Sequence, residues 1–475
     1  MRITTTLVTM SLCALVLPVT ARAQQPTLIA IGTLDANRGD LSTETAAPLE
    51  NGTPGNLLGG LGSGLAHAGG DTFLAVPDRG PNATAYNTCV DNTTSYINRF
   101  QTLRLALVPS SAGSLLPFTL TPELLDTTLL SSPSPLVYAA GGSYGIGCGV
   151  LPSGDPALNA TNHRNYLVGR SDNFATNRLS TYPQDARFDP EGIRVANNGM
   201  SVFISDEYGP YVYQFNRLTG KRINVFTLPD AFAVSTLSPV GDTEITVNTS
   251  GRVANKGMEG LAITPDGTTL VGVMQSPLIQ DGGTSGPTTR IVTIDIESGE
   301  MHQYAYTFDN IGTATKPKFG TISEILAVNN HVFLLDERDG KGFGDDSAAV
   351  QKKIYMVDLA TATEVLSSTP PAMLAANTVA KTLFLDVVTA LTTAPTPIPA
   401  KEIPAKLEGI AFGDDVVIEG VVKHTLFIAN DNDFLPVVVD TNHPSGAANP
   451  NRFFVFAFDD AAVNHEFVPQ SVQPR

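Results

Sequence analysis

Residues 189–226, DPEGIRVANNGMSVFISDEYGPYVYQFNRLTGKRINVF, decide the fold. Gly192 to Ala196 reads as a strand, Asn197-Asn198-Gly199 as a hairpin turn, and Met200 to Ser205 as a second strand. Tyr211 to Asn216 and Arg222 to Phe226 follow as a pair around Leu218-Thr219-Gly220. β-branched and aromatic side chains fill the runs, and Gly or Asn stands where the backbone must reverse. The stretch is therefore a four-stranded antiparallel meander.

The same pattern recurs along the chain. Leu261 to Thr264, Thr269 to Met274, Ile291 to Ile296 and Met301 to Tyr306 form one copy. Shorter matches are Ile325 to Val328 with Val332 to Leu335 and Ile354 to Leu359, and Ile410 to Phe412 with Thr425 to Ala429 and Phe453 to Phe458. A further copy holds Leu65 to His67, Thr72 to Val76 and Thr102 to Val108. The copies open on Glu191, Glu259, Glu324 and Glu408, with Ser63 in the earliest.

Repeated four-stranded units imply an all-β fold, a β-propeller. Most markers stand about 65–85 residues apart, against ~40–45 for a compact blade, so the loops are long. The gap from Ser63 to Glu191 is nearly two units and leaves room for a degenerate blade between about Pro117 and Arg187. The spacing predicts six four-stranded antiparallel blades, with five or seven as the alternatives. Leu28 to Thr33 belongs to no unit; beside Phe453 to Phe458 it would complete the last blade and close the ring. Thr392 to Pro404 reads as an extended connector, and Met373 to Val388 as the place for a helix.

Residues 1–23 read as an export signal, with an apolar Leu7 to Val19 and a small-x-small site, Ala21-Arg22-Ala23, before Gln24. The apolar run is short for a membrane span. Residues 24–475 are then expected to form one secreted or periplasmic domain without membrane contact. In an oxidising compartment Cys89 and Cys148 most simply pair. The net charge is −17 and no basic run occurs, which argues against nucleic acid as a partner.

Blade topology places the markers. The first strand starts on the face to which the second returns, so the glutamates and the clusters after the second strand share one face near the axis. Those clusters are Ser205-Asp206-Glu207, Gln275-Ser276-Pro277, Asp336-Glu337-Arg338-Asp339 and Asn430-Asp431-Asn432-Asp433. Converging carboxylates need protons, basic partners or a cation. Oxygen donors without His or Cys suit Ca²⁺ better than zinc. The alternative is that each glutamate accepts backbone N–H bonds and braces the ring.

These motifs, with Asn255-Lys256-Gly257-Met258-Glu259-Gly260-Leu261 and Gln275 to Gly282, resemble the phytase-like family, also called "esterase-like activity of phytase". The resemblance runs from about Leu28 to Phe458. It implies an exported propeller that hydrolyses phosphate or carboxylic esters of small molecules. In that reading Glu191, Glu259, Glu324, Glu408 and Asp431 are candidate Ca²⁺ ligands, Asp206 or Glu207 the base, and Arg338 or Lys256 the group that stabilises developing negative charge. Arg79, Arg170, Arg290 and Lys341 are further candidates to hold a phosphate. Ser63 and Gln275 break the acidic pattern. A non-catalytic binding propeller and a calcium lactonase-like hydrolase are the other readings. Gly141-Gly142-Ser143-Tyr144-Gly145 has nucleophile-elbow spacing without the strand–turn–helix setting that chemistry needs.

Overall fold

The computed structural model describes Met1 and residues 25–138 and 151–473. Five four-stranded antiparallel sheets are arranged in a ring. From the axis outward, blade 1 is Gly64–His67, Thr72–Val76, Arg99–Pro109 and Phe118–Leu129. Blade 2 is Pro190–Val195, Ser201–Asp206, Tyr211–Asn216 and Arg222–Thr227. Blade 3 is Met258–Ile263, Thr269–Met274, Thr288–Asp295 and Met301–Thr307; blade 4 is Thr321–Ala327, Val332–Arg338, Lys352–Asp358 and Lys381–Asp386. Blade 5 is Leu407–Ile418, Val421–Asn430 and Asn451–Phe458, completed by Thr27–Leu34. The expected closure by the strand near Leu28 is therefore present.

The inner strands of blades 1 to 4 are buried along nearly their whole length and that of blade 5 over Leu407 to Ala411, and each touches the inner strands of both neighbours. An apolar core fills each gap between blades. Leu261, Ile263 and Phe203 join blades 2 and 3, and Val271, Ile325 and Phe333 join blades 3 and 4. Burial of side chains from two blades in each core ties ring closure to the hydrophobic effect.

The ring has five blades, not six. Phe118–Leu129 is the outer strand of blade 1, and the long gap after it holds no further four-stranded sheet among the described residues. Among the described residues of that gap, Ser131–Ser132 pairs with Asn165–Tyr166, Leu158–Asn162 is a short helix, and Val168 and Ala186 join Ile97 and Leu129 in a small apolar cluster. Met373 to Val388, the place expected for short helical pieces, is helical only at its ends. That stretch contains the outer strand of blade 4, Lys381–Asp386, between the short helices Pro371–Ala376 and Val387–Thr392.

Cys89 is buried, while Cys148 and the Gly141 to Gly145 motif lie outside the described residues, as does the proposed signal segment apart from Met1. Among the described residues no helix is long and apolar enough to cross a membrane.

One irregularity sets up the site. In four inner strands the ladder to the second strand slips at the marker: between Pro190 and Ile193, Met258 and Gly260, Ile322 and Glu324, and Leu407 and Ile410. A β-bulge of this kind re-aims the side chain at the extra residue. The extra residue is Glu259 in blade 3 but Ser323 in blade 4, because Ile322 pairs with Glu337 and Glu324 with Asp336. Glu324 therefore occupies the place held elsewhere by Gly192, Gly260 and Gly409. There adjacent inner strands nearly touch: a Cβ on Gly260 would lie 2.8 Å from Glu324 Cα.

Candidate metal and substrate cavity

At one mouth of the ring the bulged residues open onto a cavity of about 650 Å³. Glu191, Glu259 and Glu408 line it from blades 2, 3 and 5. Glu207 and Asp431 enter from the ends of second strands, and Arg338, Lys256 and Lys341 also face it. The structure thus brings together every predicted metal ligand, base and charge-stabilising residue except two.

Glu324 and Asp206 are the exceptions; neither lines the cavity. Glu324 Oε1 accepts from the N–H of Leu261 at 2.8 Å and of Ile325 at 3.0 Å, and its carboxylate pairs with Arg194 at 3.2 Å. Asp206 accepts from the N–H of Asp189 at 2.8 Å and from the N–H of Gly209. Both acids brace backbone. Arg290 and Arg170 are likewise engaged away from the cavity, Arg290 with Asp281 at 2.7 Å and Arg170 with Glu50 and Asp172.

The cavity also holds residues that the sequence reading assigned no role, among them Asp78, Lys406 and Asp433. Asp189 stands just behind it. Oxygens of Asp189, Glu191 and Glu207 all lie within 4.8 Å of one another. The usable signal was position: Asp189 and Lys406 each stand two residues before a bulge glutamate.

Charge is unevenly compensated here. Arg79 donates its backbone N–H to Asp189 at 3.0 Å and its guanidinium lies 3.5 Å from the same carboxylate. Arg338 pairs with Glu408 and donates from Nε to Ser323 Oγ at 2.6 Å. Lys406 bonds Asp431 and Asp433, each at 2.6 Å. In contrast, Glu207 Oε1 and Glu259 Oε2 are buried with no hydrogen-bond partner among the described residues.

The protonation equilibria reflect this. Burial pushes Glu191 well above the usual carboxylate range, and Glu259, Asp189 and Glu207 add to the effect. Burial also raises Glu259 strongly, with Glu207 and Glu408 contributing and Arg338 opposing. Asp189 is pushed up to about 7 by burial, against the pull of Arg79. Asp431 is pushed up to about 6, again by burial, with Lys406 opposing.

Such groups are held neutral by protons or ionised by a cation. The donor set is all oxygen, its carboxylates converge, and two buried oxygens lack partners. The cluster could therefore hold a metal ion, and hard oxygen donors favour a hard cation.

An uncharacterized secreted protein of Arthroderma benhamiae is 32% identical over 259 residues, which cover 48% of this chain and 46% of that protein. The match thus spans less than half of the relative's length. Among solved structures, a periplasmic gluconolactonase of Pseudomonas aeruginosa covers 92% of this chain and 99% of its own, at 10% identity and a TM-score of 0.34. A putative 6-phosphogluconolactonase of Bacteroides fragilis gives the same coverages at 11% identity and a TM-score of 0.27. Residues 56–434, which include all four bulge positions, match the phytase-like family described as esterase-like activity of phytase, and the chain belongs to that family.

Proposed function

We propose that the protein is an exported, metal-assisted hydrolase of phosphate or carboxylic esters, acting in the cavity at the bulged end of the ring. One observation carries the reading: buried carboxylate oxygens without partners share a single cavity with a guanidinium. Asp189, Glu191 and Glu207 would hold Ca²⁺, and Glu259 completes the anionic wall. When bound, that ion supplies a Lewis acid for the ester oxygen and lowers the pKa of bound water.

The chain's own residues do the rest. Asp206 is engaged with backbone, so the base falls to Glu259, whose raised proton affinity makes it an effective acceptor once ionised. Arg338, close enough to Glu259 to oppose its protonation, faces the developing negative charge. Glu408 and Ser323 fix the orientation of that guanidinium.

A panel of phosphate esters, acyl esters and lactones, assayed with calcium and with chelator, tests the proposal. Turnover of at least one ester class is expected with calcium and a loss of at least about 100-fold on chelation. Activity unchanged in the Glu191→Gln, Glu259→Gln double variant would refute the site.

A further inference from the structure

Three of the second strands end in the same way. The N–H of Glu207 bonds Asp189 O at 3.0 Å, that of Gln275 bonds Gly257 O at 2.9 Å, and that of Asp431 bonds Lys406 O at 3.1 Å. In each case the acceptor lies two residues before the bulge glutamate. Glu207, Gln275 and Asp431 are therefore equivalent positions in blades 2, 3 and 5, and only blade 3 has a neutral side chain there.

The consequence falls on a lysine. In blade 5 the Lys406 ammonium is neutralised by Asp431 and Asp433. In blade 3 the Lys256 ammonium donates to Gln275 Oε1 at 2.7 Å, and among the described residues it has no carboxylate within ion-pair distance. Arg79, Arg338 and Lys406 in the same cavity all have one. Gln275 is itself buried, so it fixes Lys256 facing the cavity without cancelling its charge. Beside it run Phe319, Gly320 and Thr321, anchored by the N–H of Ile322 on Gln275 O at 3.2 Å.

We propose that Lys256, positioned by Gln275, is the docking cation for a negatively charged group, carboxylate or phosphate, on the part of the substrate that does not react. The inference rests on the hydrolase reading and narrows it to anionic esters. A half-buried ammonium oriented by a neutral acceptor is left without a counter-charge to compete with an incoming anion. Gln275 is a positioning residue: it acts through Lys256.

The test compares wild type, Gln275→Glu and Lys256→Gln on two esters with the same scissile bond, one neutral and one carrying a remote carboxylate. Gln275→Glu is expected to raise KM for the anionic ester about tenfold or more, with kcat and the neutral ester nearly unchanged. Lys256→Gln should do the same, and the salt dependence of KM should fall in both. Equal effects on both esters would overturn the proposal. A calorimetric titration with inorganic phosphate and with acetate needs no turnover and shows which anion is preferred. If wild type cleaves neither ester yet binds an anion that both variants lose, the hydrolase reading fails and the docking site stands. Binding unchanged by both variants, or absent from wild type, removes the docking site.

Discussion

The Glu324 carboxylate of blade 4 lies 3.2 Å from the Arg194 guanidinium of blade 2. The same guanidinium donates to the carbonyl oxygens of Leu65, Ile193, Ile325 and Ile410, from blades 1, 2, 4 and 5. One buried ion pair therefore stands where four inner strands meet.

Removing one partner should be costly. Glu324→Ala leaves a buried guanidinium without its counter-charge and is expected to cost about 3–5 kcal/mol. The double change with Arg194→Leu should recover part of that loss, read as a Tm difference by calorimetry. A single-variant loss below about 1 kcal/mol would show that the pair contributes nothing to the ring.

Calcium should act at the bulge glutamates and not at this pair. Wild-type Tm is expected to rise with added calcium and fall with chelator, the stabilisation amounting to about 2.7 kcal/mol at a hundredfold excess over Kd. Glu191→Gln with Glu259→Gln should abolish that response, whereas Glu324→Ala should keep it. A calcium response surviving in the double variant would place the ion elsewhere.

Asp185 offers a pH test away from the cavity. It is fully buried, accepts the Ala175 N–H at 2.9 Å, and is pushed up to about 7 by burial, with Arg187 opposing. Its folded pKa exceeds the unfolded value of about 3.9, so the folded chain binds the proton more tightly. Stability is then full below about pH 4 and declines as pH rises to about 7. Asp185→Asn keeps the acceptor and removes the titration. A flatter Tm profile and a gain of at most about 4 kcal/mol at pH 8 are expected; an unchanged slope would count against it.

Gly257 supports the site sterically. A Cβ there would lie 2.2 Å from Glu207 O and 2.6 Å from Glu207 Cα, which are backbone atoms that cannot swing aside. Gly257→Ala should cost roughly 1–3 kcal/mol and weaken the calcium response by displacing Glu207. Gly340→Ala, with open space around the added methyl, should alter stability by less than about 0.5 kcal/mol. Equal effects at the two positions would refute the steric argument.

Much of this was legible in the sequence because strand periodicity and turn residues are local signals. The run from Gly192 to Phe226 and the strand near Leu28 read directly. Blade count was not legible, since a long loop with short apolar runs, such as Tyr166 to Val168, resembles a degraded blade until its pairing is known. The marker in blade 4 was misplaced for a sharper reason. Glu324 lies one residue beyond Ser323, the true counterpart of Glu259, and one step along a strand reverses where a side chain points. Compensation of charge was also hidden: that Lys406 is neutralised and Lys256 is not depends on contacts across the blade.

Closure of blade 5 by Thr27–Leu34 has a consequence for biogenesis. That strand and its partner, Asn451–Phe458, lie at opposite ends of the ring's sequence. The ring can lock only after both segments are available, so its final pairing is of high contact order and slow. Until then an apolar strand edge stays open to wrong partners. A chain that folds this way has to keep that edge unpaired until the two segments meet.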